Sequence, residues 1–239
     1  MKKNKFLKLA SGLLVLCLLT TCVISTTFAK YTTSGSANDT ARVAKWGVEI
    51  TQLVESDEKA FATEYDNGTD VTVQSSTTDK LVAPGTDGTL VQFKITGTPE
   101  VAYGLDFNFT STDVVLAAGT YKDWTTADAT DTFTATEYHP VKFTVNKNGT
   151  DVKTDISLAA LETYILGLDA TYDANDPIDD TYIITWEWTY NVDAAADKAD
   201  TLLGNIAADK ATYGAGMTEG TDYNLTIDFA LTITATQID

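Results

Sequence analysis

The sequence predicts an all-β fold, and more specifically a jelly-roll-type antiparallel β-sandwich with two short helical insertions, preceded by a signal-peptide helix. Thr, Val, Ile, Tyr, Phe and Trp recur along the chain, and these residues favour strands. Residues 181–190 and 223–235 alternate apolar and polar side chains with a period of two. Many strands with few helices are typical of a sandwich.

The amino terminus has the organisation of a secretory signal peptide. Four lysines and no acidic residue stand among the first eight residues, and an apolar run covers residues 9–24. A small-x-small ending at Ala29 predicts cleavage between Ala29 and Lys30. The alternative is a retained membrane anchor, but the run is shorter than the ~20 residues of a spanning helix. Both cysteines, Cys17 and Cys22, belong to the leader, so we expect no disulfide in the mature protein.

The predicted organisation is a leader at residues 1–29, a flexible arm at residues 30–45 and one domain at residues 46–239. Cleavage of the leader would remove four of the 16 basic residues and none of the 34 acidic ones. The mature chain would then carry a net charge of 12 − 34 = −22. A surface this acidic repels nucleic acid and anionic membranes. We therefore expect no nucleic-acid partner, and membrane contact only through the leader.

The strand candidates follow one another between turn signals. Residues 97–100 contain Gly and Pro and join two of them, and Asn148-Gly149 favours a tight hairpin. Residues 83–88 are predicted to be a loop. The strand candidates before the two long alternating segments are residues 48–53, 71–73, 90–96, 101–109, 114–116 and 141–145, with Val152 on the far side of the hairpin.

In residues 181–190 one face carries Tyr182, Ile184, Trp186, Trp188 and Tyr190. This aromatic row is interpreted as core, because aromatic side chains bury large areas and pair across strands. A ligand groove is the alternative.

Two segments have helical spacing instead. Ser157 is a predicted cap for a helix carrying Leu158, Leu161, Ile165 and Leu168, and residues 194–209 form the second candidate.

Acidic loops are predicted at residues 169–180 and 193–200. Asp173, Asp176, Asp179 and Asp180 supply four carboxylates within eight residues, a weak indication of calcium because hard cations take oxygen ligands. The spacing does not match an EF-hand loop, and an ordinary acidic surface loop is the alternative. We expect no other cofactor.

The sequence gives little support to catalysis. His139 is the single histidine, no HExxH motif occurs, and His139 is predicted to be an exposed or edge residue. No nucleophile-elbow sequence and no phosphate-binding glycine loop is present. We expect a protein that is not an enzyme and has no catalytic or metal-binding residues.

Short motifs that match a known family are spread over nearly the whole chain. They are residues 31–36 (YTTSGS), 41–46 (ARVAKW), 82–86 (VAPGT), 95–101 (ITGTPEV), 185–188 (TWEW), 200–204 (DTLLG) and 234–239 (TATQID). On these motifs the chain resembles the TasA/camelysin-like secreted proteins of Gram-positive bacteria, which are exported through a SipW-type signal peptidase.

The resemblance implies a secreted jelly-roll protein of the biofilm matrix or cell surface that forms fibres by donating its amino-terminal segment to the sheet of another copy. The implied partners are further copies of the chain, the signal peptidase and other matrix components. Strand addition uses main-chain hydrogen bonds, and alternate side chains set the register. The residues expected to form the donor strand are Tyr31, Val43, Ala44, Trp46, Val48 and Ile50, with Trp46 as the anchor or, equally, as a core residue of the first strand.

Two other functions stay open. One is a surface module that binds glycans or a host protein through Trp124, Trp186 or Trp188. The other is a camelysin-type metalloendopeptidase, which the missing zinc motif disfavours.

Overall fold

The computed structural model describes residues 42–53, 60–66, 72–128, 130–190 and 192–238. Most of the regular backbone in these residues is antiparallel strand, and the helices are few and short, so the all-β prediction is confirmed. Residues 44–239 form one compact unit. The predictions for the leader, its cleavage site and the arm up to residue 41 lie outside the described residues.

The strands and helices are numbered in chain order. The strands are β1 (Glu49–Gln52), β2 (Glu64–Asp66), β3 (Thr72–Gln74), β4 (Thr86–Gly97), β5 (Tyr103–Thr112), β6 (Val115–Leu116), β7 (Gly119–Lys122), β8 (Thr132–Ala135), β9 (Val141–Lys147), β10 (Thr150–Ile156), β11 (Ala170–Tyr172), β12 (Ile178–Trp188), β13 (Tyr223–Asn224) and β14 (Asp228–Gln237). The helices are α1 (Leu158–Leu166), α2 (Ala194–Ala208) and α3 (Lys210–Tyr213).

Two sheets contribute most of the core. The larger has the order β1-β4-β12-β9-β10 and the smaller has the order β11-β5-β14. Three two-stranded ladders, β2-β3, β7-β8 and β6-β13, complete the described strands. The chain passes from the larger sheet to the smaller one through the predicted turn at residues 97–100, which joins β4 to β5.

The aromatic row of β12 lies in the core, as predicted. Trp186 is 1% exposed and Trp188 is 5% exposed, and the indole Nε1 of Trp186 donates to the carbonyl of Ala60 at 2.8 Å. Tyr182 stacks on Phe93 of β4, with ring centroids 4.9 Å apart. The strand ends at Trp188, so Tyr190 lies beyond it and is exposed.

Both predicted helices are present. Ser157 caps α1, because its Oγ accepts a hydrogen bond from the amide of Ala160 at 3.3 Å. Leu158, Leu161 and Ile165 are buried, whereas Leu168 follows the end of the helix. Asp193 caps α2 by accepting hydrogen bonds from the amides of Ala195 and Ala196.

The prediction of one strand over residues 223–235 is wrong, because the backbone breaks between β13 and β14. The Asn224 amide donates to the carbonyls of Asp113 and Thr226, and Thr226 Oγ1 donates back to Asn224. Side-chain bonds of this local kind compete with a continuous strand ladder.

The prediction of two acidic loops is wrong in part, because residues 169–180 contain β11 and the start of β12, and residues 194–200 belong to α2. The predicted loop at residues 83–88 ends early, because β4 begins at Thr86.

Candidate functional site: an open strand edge

β14 is the terminal strand of the smaller sheet, and among the described residues no strand lies along its outer edge. Its inner edge pairs with β5 in unbroken register over ten residues. The amide of Ile238 donates to the carbonyl of Ala102, which continues this pairing by one residue. Hydrogen-bonded and non-hydrogen-bonded pairs alternate in an antiparallel ladder. The even-numbered residues therefore bond to β5, and the odd-numbered residues direct their amides and carbonyls to the open edge.

The odd-numbered side chains of β14 also point toward the core. Phe229, Leu231, Ile233 and Ala235 are half-buried, while the residues between them are exposed. On the neighbouring β5, the core-facing residues from Tyr103 to Phe109 are all at most 5% exposed. The difference arises because, among the described strands, β14 has a neighbour on one side only. One more strand beside β14 would cover the apolar row and form hydrogen bonds with the backbone groups at the outer edge.

A cavity of about 260 Å³ lies along this apolar row, between the edges of the two sheets. β14 contributes three of its lining residues, and the rest come from β1 and β4. The lining residues are Ile50, Gln52, Leu90, Val91, Phe93, Phe229, Leu231 and Ile233.

The other sheet edges in the described part of the chain are shorter or irregular. β1 has four residues and β11 has three. β10 has seven, but its pairing with β9 shifts register twice and it carries Asp151, Lys153 and Asp155. Charges and bulges of this kind protect an edge from further pairing. β14 has no lysine, proline or bulge, so it is the least protected edge of the described sheets.

Of the expected donor residues, some pack against the rest of their own domain and others are exposed. Ile50 lies in β1 and pairs with Ile95, and Val48 packs against the core. Trp46 is 41% exposed and meets Tyr103 edge-on, with ring centroids 6.5 Å apart.

At the start of this segment, Lys45 forms two hydrogen bonds with the turn between β4 and β5. The Lys45 amide donates to the Glu100 carboxylate, and the Glu100 amide donates to the Lys45 carbonyl. Ala44 and Val43 are exposed, whereas Ala29, Lys30 and Tyr31 lie outside the described residues.

Two of the four carboxylates considered for calcium form ion pairs with lysine side chains. Asp179 forms an ion pair with Lys94 at 2.8 Å, and Asp180 forms one with Lys147 at 2.9 Å. Asp176 accepts a hydrogen bond from the amide of Asp173. Within the described residues, no group of three or more His, Cys, Asp or Glu side chains is placed to hold a metal ion.

His139 is partnered and not simply exposed. Its Nδ1 lies 2.7 Å from Asp113 Oδ2, and its Nε2 lies 3.6 Å from Glu137 Oε1. Burial raises the pKa of Asp113, and the contact with His139 opposes that rise. This pair holds the loop before β9 against the end of β5.

A second acidic cluster, which the sequence did not reveal, joins α2 to the larger sheet. Asp200 accepts hydrogen bonds from Tyr138 Oη at 2.9 Å and from Trp188 Nε1 at 3.1 Å. Burial raises the pKa of Asp200 to about 6, and the charge of Asp197 adds to that rise. Nearby, Lys198 pairs with the buried Asp123 at 2.7 Å, and this hydrogen bond lowers the pKa of Asp123 to about 2.

Comparison of the chain with protein-family models, curated proteins and solved structures gave no match. Among the helices of the described residues, none combines the length and apolar character required to cross a membrane.

Proposed function

We propose that this chain is a secreted structural protein of the extracellular matrix or cell surface, which assembles into fibres by exchanging a strand between copies. In this proposal the two sheets form a jelly-roll sandwich, and the chain is a TasA/camelysin-like protein released by a SipW-type signal peptidase. The leader pattern supports export.

The observation that carries the proposal is the unprotected edge of β14. It combines backbone groups that have no partner strand in the described part of the chain, a half-buried apolar row and a cavity. Natural proteins usually protect long edge strands, because such strands pair with other chains. An edge left open over ten residues is therefore the expected acceptor for strand addition.

The amino-terminal arm of a second copy is the proposed occupant. Residues 30–45 contain three basic residues and one acidic residue, a net charge of 3 − 1 = +2. Residues 46–239 then carry the remaining 12 − 3 = 9 basic and 34 − 1 = 33 acidic residues, a net charge of −24. A cationic arm is attracted to the acidic body of another copy, and repulsion between bodies disfavours other modes of association.

The arm also offers a suitable apolar face. In an extended chain, the apolar residues Tyr31, Ala37, Ala41 and Val43 lie on one side, which they share with Thr33, Gly35 and Asp39. Most of these side chains are small, as a shallow cavity of about 260 Å³ requires. Trp46, Val48 and Ile50 pack against their own unit and anchor the arm at its base. The donor strand is therefore assigned to the residues before Trp46.

The test compares mature protein starting at Lys30 with a chain starting at Trp46, by electron microscopy and light scattering. We expect fibres from the first and none from the second. Acid or divalent cations should speed assembly, since they reduce repulsion between the bodies. Equal fibre formation by both chains would reject the role of the arm.

The acceptor edge is tested separately with Ala235→Pro. The amide of Ala235 points to the open edge, so proline removes a donor needed for strand addition and leaves the β5 ladder intact. Thr234→Ala is the matched control, because it changes the exposed face of the same strand. We expect loss of fibres in Ala235→Pro alone. If both variants form fibres at the wild-type rate, β14 is not the acceptor strand.

A further inference from the structure

A second cavity, of about 600 Å³, lies between the β7 hairpin, α2 and the segment around α3. Pockets of roughly 300–1,000 Å³ accommodate small ligands. Three aromatic residues line it, namely Tyr121, Trp124 and Tyr213. Trp124 and Tyr213 meet at 68°, with ring centroids 4.6 Å apart.

The polar residues of this pocket are mixed in character. Thr120 and Thr212 bring hydroxyl groups, and Lys122 and Asp222 bring one charge of each sign. The Lys122 ammonium lies 3.7 Å from the centroid of the Trp124 ring. The indole Nε1 of Trp124 is buried and has no hydrogen-bond acceptor among the described residues. A buried indole N–H normally has a partner, so this donor is available to an acceptor that enters when Lys122 moves.

Of the three tryptophans considered for a ligand platform, only Trp124 remains available. Trp186 and Trp188 are buried in the core, whereas Trp124 lines this pocket. Aromatic walls with hydroxyl and charged neighbours suit a ligand that has apolar C–H faces and many hydroxyl groups. The net charge of −22 on the mature chain opposes polyanions, and Lys122 already occupies the position a cation would take over Trp124.

We propose that this pocket binds a neutral hexose oligosaccharide, with a sugar ring against Trp124 and Tyr213. Lys122 moves off the Trp124 ring as the sugar enters and then donates to a hydroxyl group. Such a site would attach the protein to a surface or matrix polysaccharide. It is separate from the β14 edge, since the two cavities share no lining residue.

The test is calorimetric titration of the chain starting at Lys30 with cellotriose and with maltotriose. Trigalacturonic acid is the anionic comparison. We expect millimolar binding of a neutral trisaccharide, and affinity at least about tenfold weaker in Tyr213→Ala. Tyr190→Ala is the matched control, because Tyr190 is 62% exposed and lies outside the pocket.

A second variant, Trp124→Phe, keeps an aromatic ring and removes the indole N–H, so it should weaken binding without removing it. Circular dichroism of each variant establishes that it is folded. The proposal is overturned if neither neutral trisaccharide binds, if the anionic one binds better, or if Tyr190→Ala weakens binding as much as Tyr213→Ala.

Discussion

Asp200→Asn should stabilise the protein at neutral pH, although it alters a residue with two hydrogen bonds. Asparagine keeps a side-chain oxygen that accepts from Tyr138 and Trp188, and it removes a half-buried negative charge. Asp193 and Asp197 lie on the same helical segment, and Asp197 disfavours the charged form of Asp200. The substitution therefore removes a desolvation penalty and a repulsion together.

The magnitude follows from the pKa of Asp200, which rises from 3.8 to about 6 on folding. One pKa unit corresponds to about 1.4 kcal/mol, so full burial would give about 3 kcal/mol. Asp200 keeps some solvent contact, which reduces the expected gain to about 1–2 kcal/mol at pH 7. Because the folded pKa is the higher one, the destabilising contribution of Asp200 is lost as the pH falls from about 7 to about 4. The difference between variant and wild type should disappear over the same range.

The assay is urea unfolding of both proteins at several pH values between 4 and 7.5, a range set by the two pKa values of Asp200. Asp106→Asn is the matched control, because Asp106 is exposed on β5 and the substitution removes the same formal charge. A variant that is less stable than wild type at pH 7, or a gain that is the same at every pH, would refute the reasoning.

Three glycine substitutions test the packing and the backbone. A Cβ at Gly88 would lie 2.9 Å from Trp186 Nε1 and 3.1 Å from the Ala60 carbonyl, so Gly88→Ala should cost about 1–3 kcal/mol, seen as a lower Tm. Gly149→Ala should cost about 1–2 kcal/mol, because Gly149 has φ +82° in the β9–β10 turn although its Cβ would meet nothing. Gly204→Ala should stabilise α2 by about 0.5–1 kcal/mol, because a Cβ at Gly204 would also meet nothing and Gly204 does not have a positive φ. Equal changes in Tm for Gly149→Ala and Gly204→Ala would contradict the claim that the positive φ of Gly149 causes the difference.

The sequence identified the elements whose signal is local. Alternation located β12 and most of β14, and the Asn148-Gly149 pair located the β9–β10 turn, where both residues have positive φ. Ser157 indicated the start of α1. Each of these features depends on neighbours within a few residues, so a local pattern is sufficient.

Short polar strands gave no such signal. β2, β7 and β8 have three or four residues each, and their pairing depends on partners elsewhere in the fold. Alternation also reports which face a side chain occupies and not whether the backbone ladder is continuous. That is why residues 223–235 were predicted as one strand and not two.

The candidate sites depend on contacts between distant residues. The open edge of β14 became visible only when the sheet order showed β5 on one side and no described strand on the other. Asp200 meets Tyr138 and Trp188 across 62 and 12 residues of sequence. The family resemblance predicts that the protein donates a strand, but it does not predict which edge would accept one.

Hydrogen exchange along β14 tests the central claim most directly. The even-numbered amides of β14 bond to β5 in the monomer and should be protected before and after assembly. The amides of Leu231, Ile233 and Ala235 face the open edge, so they should exchange rapidly in the monomer and become protected in the fibre. Fibres in which these three amides still exchange as rapidly as in the monomer would contradict strand addition at β14.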